Sequence, residues 1–509
     1  MTRVLIVVIL LLALALGCLV GAGVAVGKTQ TAVEYAETPI YGDRAAADGL
    51  RIAVGQNCGR YLLWDTTLFF DGAETKAESD FRFVASQARQ VREFEPAGLQ
   101  LWYELIGGMS YGSGSGSDEG KTADELRAFW DENPTTSTMA PLLLDAIAQA
   151  GAGETRLTVL RLRDYYEYFP VEHSMALKDL SGNAWTENIQ AVRDFFRIPV
   201  PETFCMSFAV TKNADGRVLA LSWYPGKRTL VDASGSAVAA ASADMAWGTV
   251  DDGTQVYPEP IGMSAVTADW CFFAFADYDA AGRCQIDASA IPGGLGVYRL
   301  PWSWDERYDG HSTYDASRLK TVFPLPEEEP VLALGADEKG RPLLVTASAG
   351  QMFLTVLDQT GETAVQSVAL GAFSGEAGWT VELQVFDGWL LLEDAFGGYA
   401  VAEQDADGLW QAALRTGGRE DDARAAQTEI PSGSSAFAWD GTRLAVAEGV
   451  YDPNGGGGSF LLSLLNVDDL IYLARFDGSL NVPPAEEYRY SIAVEEGVGG
   501  TGGLRMWFT

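Results

Sequence analysis

The densest set of side chains able to do chemistry is Asp164-Tyr165-Tyr166-Glu167-Tyr168-Phe169, with Glu172 and His173 close behind. Aromatic rings beside carboxylates suit a sugar-stacking or protein-contact surface, because a tyrosine offers a dry face and a wet end. Tyr165, Tyr166, Glu167, Tyr168, Phe169, Glu172 and His173 are therefore the candidate binding residues. Asp/Glu pairs also serve as acid and base on a glycosidic bond. Sequence neighbours on a strand point to opposite faces, however, so the spelling alone defines no such pair. Aromatic packing within a sheet accounts for the same residues without a ligand.

Other motifs are weaker. Gly108-Met109-Ser110-Tyr111-Gly112 spells a nucleophile elbow, with His173 and His311, the two histidines, downstream. An elbow needs a helix directly after the serine; a Gly/Ser run follows instead, which reads as a flexible loop. Gly497-x-Gly499-x2-Gly502 matches a dinucleotide fingerprint, but too near the C-terminus for the helix that would hold a pyrophosphate. Asp405-Ala406-Asp407-Gly408 and Asp452-Pro453-Asn454-Gly455 offer oxygens to calcium but lack the closing glutamate, and hairpin turns use Asp and Gly without a metal. No catalytic or metal residue is assigned; calcium is the one cofactor these turns could take. Scarce histidine argues against an enzyme, since the commonest acid–base side chain is nearly missing.

Five cysteines (Cys18, Cys58, Cys205, Cys271 and Cys284) form no CxxC or Cys/His cluster, so a zinc site of the usual kind is not expected. Cys271 and Cys284 are expected as buried free thiols. With 35 basic and 70 acidic residues, the net charge of −35 repels phosphate backbones and argues against nucleic acid. An apolar fraction of 47% excludes a disordered chain.

These groups need positioning elements. Val4 to Gly27 carries no charge and as a helix would be about 36 Å long, enough to cross a bilayer. We expect a single-pass signal-anchor with the C-terminal domain outside a bacterial cell. Ala15-Leu16-Gly17-Cys18 resembles a lipobox, so a lipoprotein with modified Cys18 is the alternative. Residues 28–48 read as a tether. Strands follow as LRIAV, GRYLLW, TLFFDG and DFRFVAS, and residues 111–121 as a linker. Thr122-Ala123-Asp124-Glu125 is a capping box opening a helix, Leu142 to Ala150 suggests a second helix, and Trp185, Ile189, Val192 and Phe196 have the spacing of a third. These are expected as helical insertions within 112–200. Hairpins are expected across Asp215-Gly216, Asp232–Gly235 and Asp279–Gly282.

From Val331 to Leu480 one unit recurs three times. First-turn glycines Gly340, Gly388 and Gly441 lie about 50 residues apart, each followed by an apolar strand: LLVT (343–346), WLLL (389–392) and LAVA (444–447). The next strands are FLTVL, YAVA and FLLSLL. This pattern resembles the blades of β-propellers, at the level of the superfamily only. The resemblance implies an all-β chain, a β-propeller of about seven or eight four-stranded blades over 49–509, with the terminal strands YRYSIAVEE and LRMWF completing one blade. The function expected is binding of a protein or glycan partner through loops at one face. A propeller glycan hydrolase using Asp/Glu pairs and a non-enzymatic envelope scaffold are the alternatives. The hydrolase would require a cluster of carboxylates with at least one raised pKa.

Overall fold

The computed structural model describes residues 12–24, 33–58, 62–72, 74–83, 96–103, 110–112, 120–131, 140–169, 171–177, 185–187, 189–231, 236, 240–242, 248–251, 261–276, 278, 284, 286–305, 311–373, 381–394, 396–417, 431–450, 459–467, 469–480, 490–492 and 504–509. Among the described residues the chain is mostly β, with two four-stranded antiparallel sheets in chain order, further sheets of two, five or six strands, and few helices. Residues 12–24 are helical, and the rest of the expected 4–27 anchor lies outside the described residues. Among the described residues no helix is long and apolar enough to cross a membrane. Two compact units form, one from residues 1–94 and 381–509 and the other from 95–380.

The first unit holds three sheets. Glu382–Phe386, Trp389–Glu393, Tyr399–Gln404 and Trp410–Arg415 make the 382–415 sheet in chain order. Pro431–Trp439, Leu444–Val450, Phe460–Asn466 and Asp469–Leu480 do the same in the 431–480 sheet. That sheet gains a fifth strand, Val33–Gly42, antiparallel to Asp469–Leu480. Residues 33–42 of the stretch expected as a tether are therefore a strand. Its polar spelling concealed two inward positions: Tyr35 packs on the core, and Glu37 accepts from the hydroxyls of Tyr472 and Thr75 (each 2.5 Å) and from Arg44 Nε. A carboxylate with three donors keeps its hydrogen bonding on leaving water, which removes most of the burial penalty.

The third sheet joins the chain ends. Leu50–Cys58 pairs with both Leu504–Phe508 and Tyr490–Ile492, as expected of the terminal strands, and then come Leu62–Asp71 and Glu74–Phe83. Leu62 to Trp64 and Thr67 to Asp71, from two stretches expected as separate strands, lie on one ten-residue strand, since Asp65-Thr66 carries no turn-forming glycine or proline. One face of this sheet (Leu50, Ile52, Val54, Leu68, Phe70, Leu504) shares a core with Phe460, Leu462, Tyr472 and Phe476.

In the second unit, Val331–Ala336, Pro342–Ser348, Gln351–Leu357 and Ala364–Ala372 form the 331–372 sheet in chain order. The first turn shows why aspartate and glycine recur: Asp337 Oδ1 accepts from the Lys339 and Arg341 amides, Oδ2 from Arg341 Nε, and Gly340 takes the left-handed φ of 70°. Asp405 Oδ1 is used the same way, accepting from the Asp407 and Leu409 amides.

Elsewhere in this unit strands pair out of order. One sheet runs Ala240–Ser242, Glu154–Arg161, Cys205–Lys212, Val218–Pro225, Ser110–Gly112. The hairpin across Asp215-Gly216 forms as expected. Asp232–Gly235 lies outside the described residues; on its two sides Arg228–Val231 pairs with Gly248–Asp251, and Ala240–Ser242 joins Glu154–Arg161. Around Asp279–Gly282, which lies outside the described residues, only the Tyr278–Cys284 bridge is described, and Trp270–Ala276 pairs with Gly296–Asp305. Cys271 is buried and Cys284 half-buried, and both are thiols.

The capping box forms: the Glu125 amide donates to Thr122 Oγ1 (3.2 Å), and the Thr122 amide to Glu125 Oε2 (2.7 Å). Trp185 departs from the expected helical face. It sits on strand Trp185–Glu187, parallel to His311–Asp315, and the helix starts at Ile189. The helices are not appended to a finished sheet. Trp130, Leu143, Ile147 and Phe196 enter one core with Phe208, Phe273 and Tyr298, where Phe196 meets Tyr298 edge-on at 5.0 Å. Amphipathic helices gain stability by burying that apolar stripe, and here the strands supply the surface.

Candidate functional site

Two apolar rows lead to the site. Side chains alternate along a strand, so Trp389, Leu391 and Glu393 share one face, as do Leu444, Val446 and Glu448. Leu391, Leu444 and Val446 pack together with Tyr399 and Phe437, so the two rows face each other within the first unit. Trp439 Nε1 donates to Glu403 Oε2 at 2.9 Å and ties the two sheets further. Each row then ends on a half-buried glutamate.

Glu393 stands in register between Glu382 and Tyr399. The Tyr399 hydroxyl donates to Glu393 Oε1 at 3.3 Å. Burial, then the negative charges of Glu448 and Glu382, push the Glu393 carboxyl up to about 7, while the hydrogen bond from Tyr399 pulls the other way. Burial penalises its ionised form, and a carboxylate facing it adds repulsion that water only partly screens.

The next residue, Asp394, has a different task. It is buried, its Oδ1 accepts from the Phe396 and Gly398 amides, and Oδ2 accepts from Arg415 Nη2 at 2.9 Å. A Cβ on Gly398 would stand 2.7 Å from Asp394 Oδ2, so only glycine leaves the turn intact. This turn fixes the end of the strand that carries Glu393. Facing carboxylates, one titrating near neutrality beside a phenol, can share a proton, accept hydrogen bonds from hydroxyl- or amine-bearing ligands, or protonate an oxygen.

Sequence reasoning missed Glu393 and Glu448, although a signal existed. WLLL and LAVA are each followed by glutamate. The first strand pairs, Ala336–Pro342, Phe386–Trp389 and Trp439–Leu444, set the frame, and the fifth residue of each second strand is Thr346, Glu393 or Glu448. Two of three copies thus carry a carboxylate at one structural position.

The aromatic–acid cluster is divided by the fold. Phe169 is 3% exposed and edge-on to Phe204 at 5.2 Å. Tyr165 and Tyr166 pack partly buried on the same core, and the Tyr165 hydroxyl donates to Asp145 Oδ2 at 2.5 Å. Burial, then that hydrogen bond and the Asp145 charge, push Tyr165 ionisation upward. Tyr168 is half-buried and bridges Pro199; Glu167 is exposed, and its carbonyl accepts from Arg163 Nη1 and the Val200 amide. Glu172 and His173 lie on Val171–Leu177, opposite Trp102 and Leu101, and their side-chain positions fall outside what the structure describes. Among the described residues no group of three or more His, Cys, Asp or Glu side chains could hold a metal ion. The Gly497–Gly502 and Asp452–Gly455 motifs lie outside the described residues.

No family model and no curated protein matches the chain. Solved structures do. The β-propeller domain of Cps50 (Swd1) from Myceliophteria thermophila is 12% identical, with 53% of this chain and 82% of that one covered and a TM-score of 0.22. A putative 6-phosphogluconolactonase from Bacteroides uniformis is 12% identical, covering 64% of this chain and 99% of that one, TM-score 0.23. A quinonprotein alcohol dehydrogenase-like protein from Bacteroides thetaiotaomicron is 8% identical, covering 88% and 93%, TM-score 0.21. Of these three, the Cps50 (Swd1) structure is described as a β-propeller domain. Scores this low carry nothing about activity or ligand, which must come from the site itself.

Proposed function

We propose that this chain is a membrane-anchored, extracytoplasmic β-propeller of seven or eight blades that binds a glycan or protein partner, with the Glu393–Glu448 pair as its recognition centre. The observation that carries the reading is the pair itself: two half-buried carboxylates from equivalent positions of facing sheets, at the end of an apolar stack. An apolar stack gains nothing from such a layer, because removing carboxylates from water costs stability unless a ligand or proton compensates. The aromatic–acid segment contributes exposed Glu167 and half-buried Tyr168 as a further contact surface. The segment 4–27 anchors the chain, with the domain outside the cytoplasm, and lipid on Cys18 is the alternative tether. Residues 28–32 alone separate that segment from strand Val33–Gly42, so even fully extended they reach at most about 18 Å and hold the domain close to the bilayer.

The test is calorimetric titration of the full chain in detergent against neutral oligosaccharides and basic peptides, repeated with Glu393→Gln. Binding that weakens at least tenfold in the variant supports the reading; binding unaffected by Glu393→Gln or Glu448→Gln removes this pair as the centre.

A second reading is favoured by Glu393 titrating near 7. As a general acid, Glu393 would give its proton to a glycosidic oxygen, while Glu448 or Glu382 takes one from the water that attacks the anomeric carbon. Release of reducing ends from a glycan, abolished by Glu393→Gln, separates hydrolysis from binding. A scaffold without either activity would show neither effect.

A further inference from the structure

The sheet that joins the chain ends has a second face, away from the core shared with the 431–480 sheet. Register places Trp507, Arg51, Phe69 and Lys76 in one row across it, and Arg505, Ala53, Thr67 and Glu78 in the next. Gly55, Asp65 and Asp80 make a third row. Small residues thus occupy the middle, and large ones stand around them. The result is a concavity of about 390 Å³, within the range of small-ligand sites.

Its wall is amphipathic in a defined way. Trp507 is 43% exposed although it lies on a strand whose opposite side chains, Leu504 and Met506, pack on the core. Leaving so large a ring open to water has no packing benefit, and Phe69 extends the same apolar side. Across the floor stand exposed Glu78 and Asp80, and Arg505 at 3.7 Å from Asp65 supplies guanidinium donors beside carboxylate acceptors. Arg51 is already committed: it forms a bidentate pair with Asp71 (3.0 Å each) and lies over Phe69.

An aromatic platform flanked by both acceptors and donors suits a ring with an apolar face and polar edges. A saccharide presents that combination: C–H groups on one side of a pyranose and hydroxyls around its rim. The surplus of carboxylates at the rim, on a chain of net charge −35, disfavours an anionic sugar. We propose that the open face of this sheet binds an uncharged pyranose unit of a glycan, stacked on Trp507 and hydrogen-bonded by Glu78, Asp80 and the Arg505–Asp65 pair.

This site is separate from the Glu393–Glu448 pair and stands on different strands, so either can fail alone. The full chain in detergent is titrated with cellobiose, chitobiose, maltose, lactose and mannobiose, followed by saturation-transfer NMR and calorimetry. Trp507→Ala is expected to weaken binding of at least one disaccharide tenfold or more, with Trp507→Phe recovering much of it. Glu78→Gln with Asp80→Asn is expected to weaken it severalfold. Unchanged melting temperatures verify that the exposed substitutions leave the fold intact. No binding of any of the five sugars overturns the proposal. So does binding of an oligolysine peptide that depends on Glu78 and Asp80 but not on Trp507, which would make this face a protein contact. Sugar binding lost in Glu393→Gln but kept in Trp507→Ala overturns it as well, and leaves the Glu393 reading standing.

Discussion

The sheets between Val331 and Leu480 and those between Pro96 and Pro324 are both well buried, yet they are assembled differently. In the 331–372 and 382–415 sheets each strand pairs with its neighbour in sequence, and the 431–480 strands do the same before Val33–Gly42 joins as a fifth. In the 95–324 region strand Glu154–Arg161 is bordered by strands from 205–212 and 240–242, and Trp185–Glu187 pairs with His311–Asp315. Closing a short hairpin costs little chain entropy, whereas pairing strands a hundred residues apart must be compensated by side-chain burial. The first kind of sheet is held by its turns. The second is held by its core.

Substitutions sharpen that contrast. The largest effect is expected from Phe196→Ala, because Phe196 is fully buried against Phe273, Phe275 and Tyr298. It should cost about 3–5 kcal/mol in denaturant unfolding. Amide exchange should rise across strands 205–305 while the 331–372 strands stay protected; uniform deprotection would mean that the two kinds of sheet are equally dependent on the core.

Asp394→Ala is expected to cost about 3 kcal/mol or slightly more, since it leaves Arg415 facing a buried site without its carboxylate and removes two turn hydrogen bonds. Its damage should remain local to 382–415, as measured by amide exchange.

Glu393 gives a pH signature. Its surroundings push the carboxyl up to about 7 from an ordinary 4.5, so the folded state holds an extra proton between those values. Below about 4.5 the group costs nothing. Stability is lost as pH rises through 4.5 to 7, by up to about 3 kcal/mol in all. Glu393→Gln should therefore be more stable than the parent at pH 8 and equal to it near pH 4.5, read from denaturation midpoints. An unchanged pH profile would place the proton elsewhere.

The smallest effect belongs to Thr122→Ala, which removes the capping box of a helix seated on the second unit's core. About 1 kcal/mol is expected. A loss of several kcal/mol would show that this core depends on helix ends as much as on aromatic packing.

Much of the fold was legible in the residues themselves. Gly340, Gly388 and Gly441 mark real turns, the strands after them run as their apolar spelling indicates, and Thr122 and Glu125 cap a helix. Turns and caps are decided within a few residues, where backbone sterics and local hydrogen bonds act, so the sequence by itself determined them. It also determined that LRMWF would be a strand. Which partners that strand and its like would find was another matter. Val33–Gly42 looked like a tether until Glu37 met Tyr472, Thr75 and Arg44. Trp185 kept helical spacing with Ile189 and yet lies on a strand, because pairing with His311–Asp315 outweighs local propensity.

The candidate site divides along the same line. That a glutamate follows each of two aligned strands is written in the chain, but nothing in the chain says that the two strands face each other. Only the packing of Leu391 against Leu444 and Val446 brings Glu393 and Glu448 onto facing sheets. Only burial then lifts one carboxyl toward neutrality, because a pKa is a property of surroundings and not of spelling.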